Sequence, residues 1–551
     1  MSNLRFPLGI FTAILLSLGL LTTFGAESTP PMKSGDVLYT LDLADTAALA
    51  KALPQGATIV KEGPTGGLCL RVTVAPDQAK LGKENTMLNL PVDLSRWQGM
   101  QVMLIAQVRA EGVTKPDQSY NGVKLQLHYD SPARGKQWPG VSGGVFGTFP
   151  WKEVYGIANI ESDATKGWLQ LGLQGSSGTV WMSDVRIVAW RQKVVRSAPA
   201  ANAPAAFRGH SLPRLRGVMS PNAFKVEDFD TLAKWNVNLI RWQMTRDWGK
   251  AGTDQDLAEY DQWLNGKLDD LAKALDAAAA RGIKVVVDLH SPPGGRLEDR
   301  SMRMFYEKPY ADHFVAVWER MARRFKGHPA VWGYDLVNEP VQNRPSPAGL
   351  LDWYGLQVRA AKAVRAIDDK VPIIFEVDQW DAPAVFDYLQ PTDVPGVIYQ
   401  VHMYQPGSFT HQGVHGAWGE ASGKAGVVYP GMIEGRPYDR EMLRKILEPV
   451  RAFQVAHNAH IFVGEFSAIR WAPGGAKYLE DCTAIFEEYG WDWTYHAFRE
   501  WAGWSVEHAD LPYNRDNHPV AEKPTERFLA LKKWFDQNQR APIPAPAKEV
   551  K

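Results

Sequence analysis

Val331-Trp332-Gly333-Tyr334-Asp335-Leu336-Val337-Asn338-Glu339-Pro340 decides how this chain is to be read. It begins as a short apolar run with β-branched and aromatic residues, then stops at Asn338, Glu339 and Pro340. Such a run, bounded by a turn signal, predicts a buried strand. Pro340 has no N–H, so it cannot continue a paired central strand. The carboxylate of Glu339 therefore stands at the C-terminal end of the strand, with an amide beside it. In a parallel α/β barrel that end is the functional face. Glu339 is the candidate acid/base.

Seven more apolar runs accompany this one, at 215–219, 237–242, 284–289, 372–377, 397–401, 461–464 and 493–498. Amphipathic stretches separate them. Leu264, Leu268, Leu271 and Leu275 repeat at helical spacing, and Gly282 follows as a stop. Phe314, Val317, Trp318, Met321 and Phe325 do the same before Gly327. Eight strand-then-helix units with nearly continuous apolar strands predict a (β/α)8 TIM barrel over 208–540. A doubly wound open sheet is the alternative. Against it, no Gly-rich phosphate turn follows the first strand, which opens into Pro221-Asn222.

Polar residues gather where these strands end: Arg241, then Asp288 and His290, then Asn338 and Glu339, then Glu376 and Asp378. His402 and Tyr404, Glu465, and finally His496, Arg499, Glu500, Trp501 and Trp504 complete the set. A single carboxylate at a strand end means little. Two Glu on the fourth and seventh strands, with an Asn, two His, a Tyr and an Arg between them, make a constellation. Bland readings stand beside it: Arg241 as an ion-pair residue of the barrel, His290 or His402 as satisfied core histidines. Glu376 and Asp378 are an alternative carboxylate pair. A His–His–carboxylate metal site is a further alternative, but the first strand's end, Gly217-Val218-Met219-Ser220, lacks a His-x-His.

The set resembles glycoside hydrolase family 5, the cellulase-like members of the large retaining barrel clan. The matching pieces are Arg241 in Asn238–Trp242, His290 after Val287-Asp288-Leu289, Asn338-Glu339-Pro340, His402 with Tyr404, and Glu465 in Val463-Gly464-Glu465-Phe466. The resemblance implies a retaining β-glycoside hydrolase, with Glu339 as acid/base and Glu465 as nucleophile. Such an enzyme holds its two carboxyls about 5–5.5 Å apart. Glu339 must carry a proton before attack, and Glu465 must stay ionised. Arg241 and Tyr404 suit the second need. Asn338 suits a sugar 2-hydroxyl, and His290 and His402 suit a sugar or the carboxylates. The family usually carries Trp at the end of the eighth strand. Here His496 stands near that place, so Trp501 or Trp504 is expected as the sugar platform, with Trp501 preferred. The expected substrate is β-1,4-glucan, with β-mannan, other β-glucans or short oligosaccharides as alternatives. No cofactor or metal is required. A catalytically inactive glycan-binding barrel is the alternative from another class.

The remaining sequence frames this unit. The chain has 551 residues, too many for one core. Its net charge is zero, which argues against nucleic acid as a partner. It carries 21 Trp, which suits carbohydrate handling, although large cores also use Trp. Cys69 and Cys482 fall in different units, and no disulfide is expected. Residues 1–26 have the form of a secretory signal peptide: Arg5, an apolar run from Phe6 to Leu21, then small residues. With it removed, a secreted or periplasmic monomer without a membrane span is expected. Short alternating strands over 35–195 predict an all-β jelly-roll sandwich preceding the barrel. Thr179–Ile187 resembles the closing strand of jelly-roll carbohydrate-binding modules, and Trp138, Trp151 and Trp168 are candidate sugar-stacking residues. Residues 196–207 are a Pro/Ala linker, and 541–551 an expected disordered tail. The long Gly- and aromatic-rich stretch 405–438 is read as cleft wall.

Overall fold

Strands come first along the chain, because its N-terminal third alternates apolar and polar residues with turn residues between. The computed structural model describes residues 33–45, 49–79, 86–118, 120–141, 145–196, 212–246, 250, 252–414, 426–510 and 517–543. The expected signal segment 1–26, the Pro/Ala stretch 197–206 and the tail from 544 lie outside them. One antiparallel sheet runs β2 (Ala57–Val60), β3 (Cys69–Val74), β11 (Gly178–Gln192), β5 (Met100–Val113), β9 (Gly147–Asn159), with β1 (Val37–Thr40) on β11. The second runs β4 (Met87–Val92), β10 (Thr165–Gln174), β6 (Gly122–Ser131), β7 (Gly135–Gln137), with β8 (Gly140–Val141) on β6.

The strand period of two sorts their side chains. Leu104, Val102, Ile187, Leu125, Leu127, Leu169 and Leu171 share one core between the sheets. Their neighbours Met103, Ile105, Val188 and Trp190 face the other way and form a separate buried cluster, with Tyr155 and Ile157 against it. On that outer face the sandwich meets the barrel. Tyr155 Oη donates to Asp299 at 2.9 Å, Arg196 Nη2 to the Phe386 carbonyl at 2.6 Å, and Lys193 pairs with Asp387 at 2.9 Å. Both cysteines are buried and free.

Eight parallel strands then close into a barrel: β12 (Arg216–Met219), β13 (Leu239–Gln243), β14 (Lys284–Asp288), β15 (Val331–Asp335), β16 (Ile373–Phe375), β17 (Val397–Met403), β20 (Ile461–Phe466) and β21 (Asp492–Tyr495). A hairpin of β18 (Gly431–Ile433) and β19 (Arg436–Tyr438) lies between the sixth and seventh barrel strands. Most strand ends shift by one to three residues from the sequence reading, and two of the shifts bear on the site. β20 continues past Gly464, so Glu465 lies inside the strand, paired with His402. β21 stops at Tyr495 instead of 498, because the chain turns at His496, whose N–H donates to the Phe466 carbonyl at 3.1 Å.

Helix Leu257–Ala279 turns Leu264, Leu268, Leu271 and Leu275 inward, and Asp256 caps it through the N–H groups of Ala258 and Glu259. Inside the barrel, side chains stack in layers. The lowest is an apolar plug of Leu239, Val286, Trp332, Ile374, Ile398 and Phe462. The next carries Arg241, Asp288, Asp335, Glu376 and Gln400, each essentially inaccessible to water. Gly464 makes room here: a Cβ there would lie 2.4 Å from Gln400 Cδ. Above stand Asn338, Glu339, His402, Glu465 and His496, at the open end. Among the described residues, no helix is long and apolar enough to cross a membrane.

Candidate active site

Arg241 is the only cation of the polar layer and has no exposure at all. A buried charge is tolerable only when paired and hydrogen-bonded. Its Nε donates to Asp335 at 2.8 Å, Nη1 to Glu465 at 2.7 Å, and Nη2 to Asn338 Oδ1 at 2.9 Å and Glu376 at 2.7 Å. Asp288 lies 3.3 Å away. The guanidinium thus ties together residues from the third, fourth, fifth and seventh strands of the barrel.

Glu465 receives a second donor. Tyr404 Oη donates to its Oε2 at 2.8 Å. Burial by itself would raise this carboxyl's pKa, but His402, His496 and Arg241 outweigh burial with positive charge and hold it well below the usual range. These charges favour the ionised form of Glu465. His402 donates from Nδ1 to Glu339 Oε1 at 2.9 Å and lies 3.8 Å from Glu465 Oε2. Burial works against its charge, yet Glu465, Glu339 and Asp381 push its pKa up to about 9. The imidazolium sits between the two carboxylates and lowers their mutual repulsion.

Asn338 has its orientation fixed from both ends. Its oxygen accepts from Arg241, and its Nδ2 lies 3.1 Å from His290 Nε2. His290 Nδ1 in turn faces Asp288 Oδ2 at 2.9 Å. An Nδ1–H tautomer satisfies all three contacts. Glu339 is held by its backbone, which lies in the left-handed region with φ +48°. Its N–H donates to Glu376 Oε2 at 2.6 Å, and its carbonyl accepts from Arg296 Nη2 at 2.9 Å. A non-glycine residue held there costs on the order of 1–3 kcal/mol and persists only where surroundings over-determine it.

The structure brings together seven of the residues singled out by sequence: Glu339, Glu465, Arg241, His290, Asn338, His402 and Tyr404. Trp501 packs in an aromatic group with Trp471 at 6.0 Å, Trp504 at 6.0 Å and His518 at 5.6 Å. His496 is the ring nearest the carboxylates from the eighth strand, 6.1 Å from Tyr404 and 5.3 Å from Trp504. Its Nε2 faces Glu500 at 3.0 Å, a carboxylate that also accepts from Gln243 at 2.9 Å. Glu376, considered as half of an alternative pair, is buried beneath Arg241 with no exposure. Its work here is to hold Arg241 and the Glu339 backbone. Neither that clamp nor the Arg296 contact has a sequence signature.

Two groups place one ligand atom from each residue within 4.8 Å of one another: Glu339, His402 and Glu465, and Glu376, Asp381 and His402. In both, the positive charge is already supplied by His402 and Arg241. Burial pushes the Asp381 pKa up to about 8. The first group places a carboxylate oxygen of Glu339 within 4.8 Å of one from Glu465. One carboxylate is thus locked as an anion, and the other faces it from a separate strand.

A family model described as cellulase (glycosyl hydrolase family 5) matches residues 199–509, more than half of the chain. The chain belongs to glycosyl hydrolase family 5. It is a β-glycoside hydrolase, with a barrel of this family behind a two-sheet segment that lies ahead of the matched residues. Endoglucanase C of Acetivibrio thermocellus is 25% identical over 320 residues, 54% of this chain and 88% of that protein. Cellodextrinase A of Ruminococcus flavefaciens is 27% identical over 143 residues, 26% of this chain and 41% of that protein. A solved chain of Thermotoga maritima Cel5A in complex with cellobiose is 23% identical, with a TM-score of 0.44 over 57% of this chain and 97% of that chain.

The charges around Glu465 give this family 5 hydrolase an expected pH response. His402→Asn removes a positive charge that favours ionised Glu465. The carboxyl's pKa then rises, and activity is lost earlier as pH falls. The acidic limb of kcat/KM is expected to move upward by about 1 unit or more. A pH–rate profile of the two proteins checks this.

Proposed function

We propose that this enzyme is a retaining β-1,4-glucanase of the endo-acting cellulase type, working by double displacement at Glu339 and Glu465. The observation that carries the reading is the approach of the two carboxylates to within 4.8 Å, together with the donors that keep Glu465 ionised. A close approach of the two carboxyls suits retention, since inversion needs room for a water between carboxylate and sugar. In the first step a Glu465 oxygen attacks C1 of the sugar. The C1–O bond to the leaving chain breaks, and its oxygen takes the proton from Glu339. In the second step Glu339 removes a proton from water, the water oxygen bonds to C1, and the C1–Glu465 bond breaks. Asn338 is placed to hydrogen-bond the 2-hydroxyl, an interaction that strengthens in the transition state. The endoglucanase and cellodextrinase relatives favour β-1,4-glucan over mannan.

The test is hydrolysis of a panel of β-glucans and β-mannans by the full chain, with the first-formed anomer followed by NMR. Release of the β-anomer from glucan supports the reading. Release of the α-anomer, or cleavage of mannan alone, overturns its mechanism or its substrate respectively. Glycan binding without turnover would favour a catalytically inactive barrel, and loss of activity to a chelator a metal-dependent one. An exported form beginning near residue 27 belongs to the same proposal, and N-terminal sequencing of secreted protein tests it.

A second element of the proposal is glycan binding by the two-sheet segment. Trp138 is 53% exposed and stacks on His128 at 5.1 Å, which stacks on Trp168 at 5.6 Å. The same face carries the amide row Asn89–Gln170–Gln126. A cavity of about 430 Å³ opens beside Trp168, bounded by Asp93, Ser95, Gln98 and Lys166. Ring faces beside amides suit the C–H faces and hydroxyls of a sugar. Trp138→Ala is expected to weaken retention on insoluble β-glucan about tenfold, as read by depletion of protein from solution.

A further inference from the structure

The loop after β16 holds a turn that the mechanism above does not use. Gln379, Trp380 and Asp381 lie consecutively in the left-handed region, with φ of 60°, 65° and 54°. Three non-glycine residues in that state need strong anchors. Three are present. The Val377 N–H donates to Asp381 Oδ1 at 2.7 Å. The Trp380 N–H donates to the carbonyl of Pro340, the residue after Glu339, at 3.3 Å. Asp378 Oδ1 accepts from the N–H groups of Gln342 at 2.8 Å and Gln379 at 2.7 Å.

Asp378 is itself fully buried, and the cation paired with it comes from the sandwich. Arg191, near the end of β11, donates from Nη2 to Asp378 Oδ2. Its Nη1 donates to Gln101 of β5 at 3.1 Å, so the arm is braced within its own sheet. The turn presents Trp380, which is 41% exposed although it sits beside the catalytic loop. The Arg296 guanidinium lies 4.6 Å from the ring centroid, and the same Arg296 donates to the Glu339 carbonyl.

We propose that Arg191 is a positioning residue through which the sandwich holds the 379–381 turn and so sets Trp380 as a sugar platform on the leaving-group side of Glu339. The inference rests on the hydrolase reading above. The side follows from the chemistry. Glu339 hands its proton to the departing oxygen, so the departing sugar lies toward Glu339, and Trp380 is bonded to Pro340. The anionic Asp378 needs its partner: without Arg191 it would be a buried charge with no cation, and the turn would lose its clamp.

The experiment compares a β-1,4-gluco-oligosaccharide with β-cellobiosyl fluoride, whose leaving group is too small to reach Trp380. The readout is the ratio of kcat/KM between the two, in the full chain. Trp380→Ala is expected to lower that ratio about tenfold, mainly through KM for the oligosaccharide. Arg191→Met and Asp378→Asn are expected to lower it comparably, and Arg191→Lys to restore most of it. The double variant Arg191→Met/Trp380→Ala is expected to fall no further than Trp380→Ala alone. Lys193→Ala, which breaks a neighbouring contact across the same interface, should leave the ratio at the wild-type value. Should Arg191→Met fold poorly, Asp378→Asn decides, because it removes the ion pair but keeps the acceptor for both N–H groups. An unaltered ratio in the Arg191 and Asp378 variants, additive effects in the double variant, or an equal fall in Lys193→Ala would overturn the proposal and leave the hydrolase reading standing. Failure of the wild type on both substrates would remove the hydrolase reading and this inference with it.

Discussion

Glu465→Gln is expected to lower kcat on β-glucan by about 10⁴-fold or more, with the protein still folded. The amide keeps the shape of the side chain: its oxygen can accept from Arg241 Nη1 and its NH2 can donate to Tyr404 Oη, the two groups that lie 2.7 and 2.8 Å from the carboxylate oxygens. It cannot form a glycosyl ester. Shape is thus preserved and nucleophilicity removed, and the fall in rate reports the chemical step. Glu465→Ala gives the complementary result. It leaves a space on the face from which C1 is attacked, and azide should enter it. The expected product from an activated β-glycoside is the α-glycosyl azide, with configuration opposite to that of the substrate. NMR of the product decides. Wild-type rates in either variant would remove Glu465 from the mechanism.

The second large effect is expected at Glu339. Glu339→Gln should cost about 10²–10⁴-fold on natural glucan, whose leaving group needs a proton. With a dinitrophenyl leaving group the first step needs little acid assistance, so a fast burst of phenol should precede slow turnover. The glycosyl-enzyme then accumulates, because no base activates water. In Glu339→Ala, azide should speed turnover and give the β-glycosyl azide, the configuration of the substrate. Opposite azide anomers from the two alanine variants would assign acid/base and nucleophile independently. If both variants gave the same anomer, the assignment would fail.

These expectations rest on residues whose places could be read from the chain. Asn338-Glu339-Pro340 announces itself, because an apolar strand cannot run through an amide, a carboxylate and a proline. The barrel was legible for a similar reason. Strands covered on both faces read as unbroken apolar runs, and the Leu264–Leu275 stripe fits only a helix. Glu376 was visible as a strand-end carboxylate but not as the clamp on the Glu339 N–H, because that contact joins residues 37 apart in sequence. The turn at His496 brings that imidazole toward Tyr404, whereas the packing of Trp501 on Trp471 and His518 joins loop segments far apart in sequence. The left-handed turn at 379–381 was hidden for another reason. Gln, Trp and Asp carry no signal for φ above zero comparable to glycine, and only Asp378, Arg191 and Pro340 together hold them there. Local pattern gave the scaffold, whereas contacts between distant segments set the roles.

Arg241 carries a last consequence. Its guanidinium grips partners that arrive on the third, fourth, fifth and seventh strands of the cylinder. Each grip is also a bond that a half-closed cylinder would leave as an orphaned charge. Finishing the fold and arming the chemistry are therefore one event. On heating, hydrolysis and tertiary structure are expected to disappear on a common curve, with no long-lived population that is intact in shape but silent. Turnover in this enzyme then serves as a gauge of how many molecules have closed the ring.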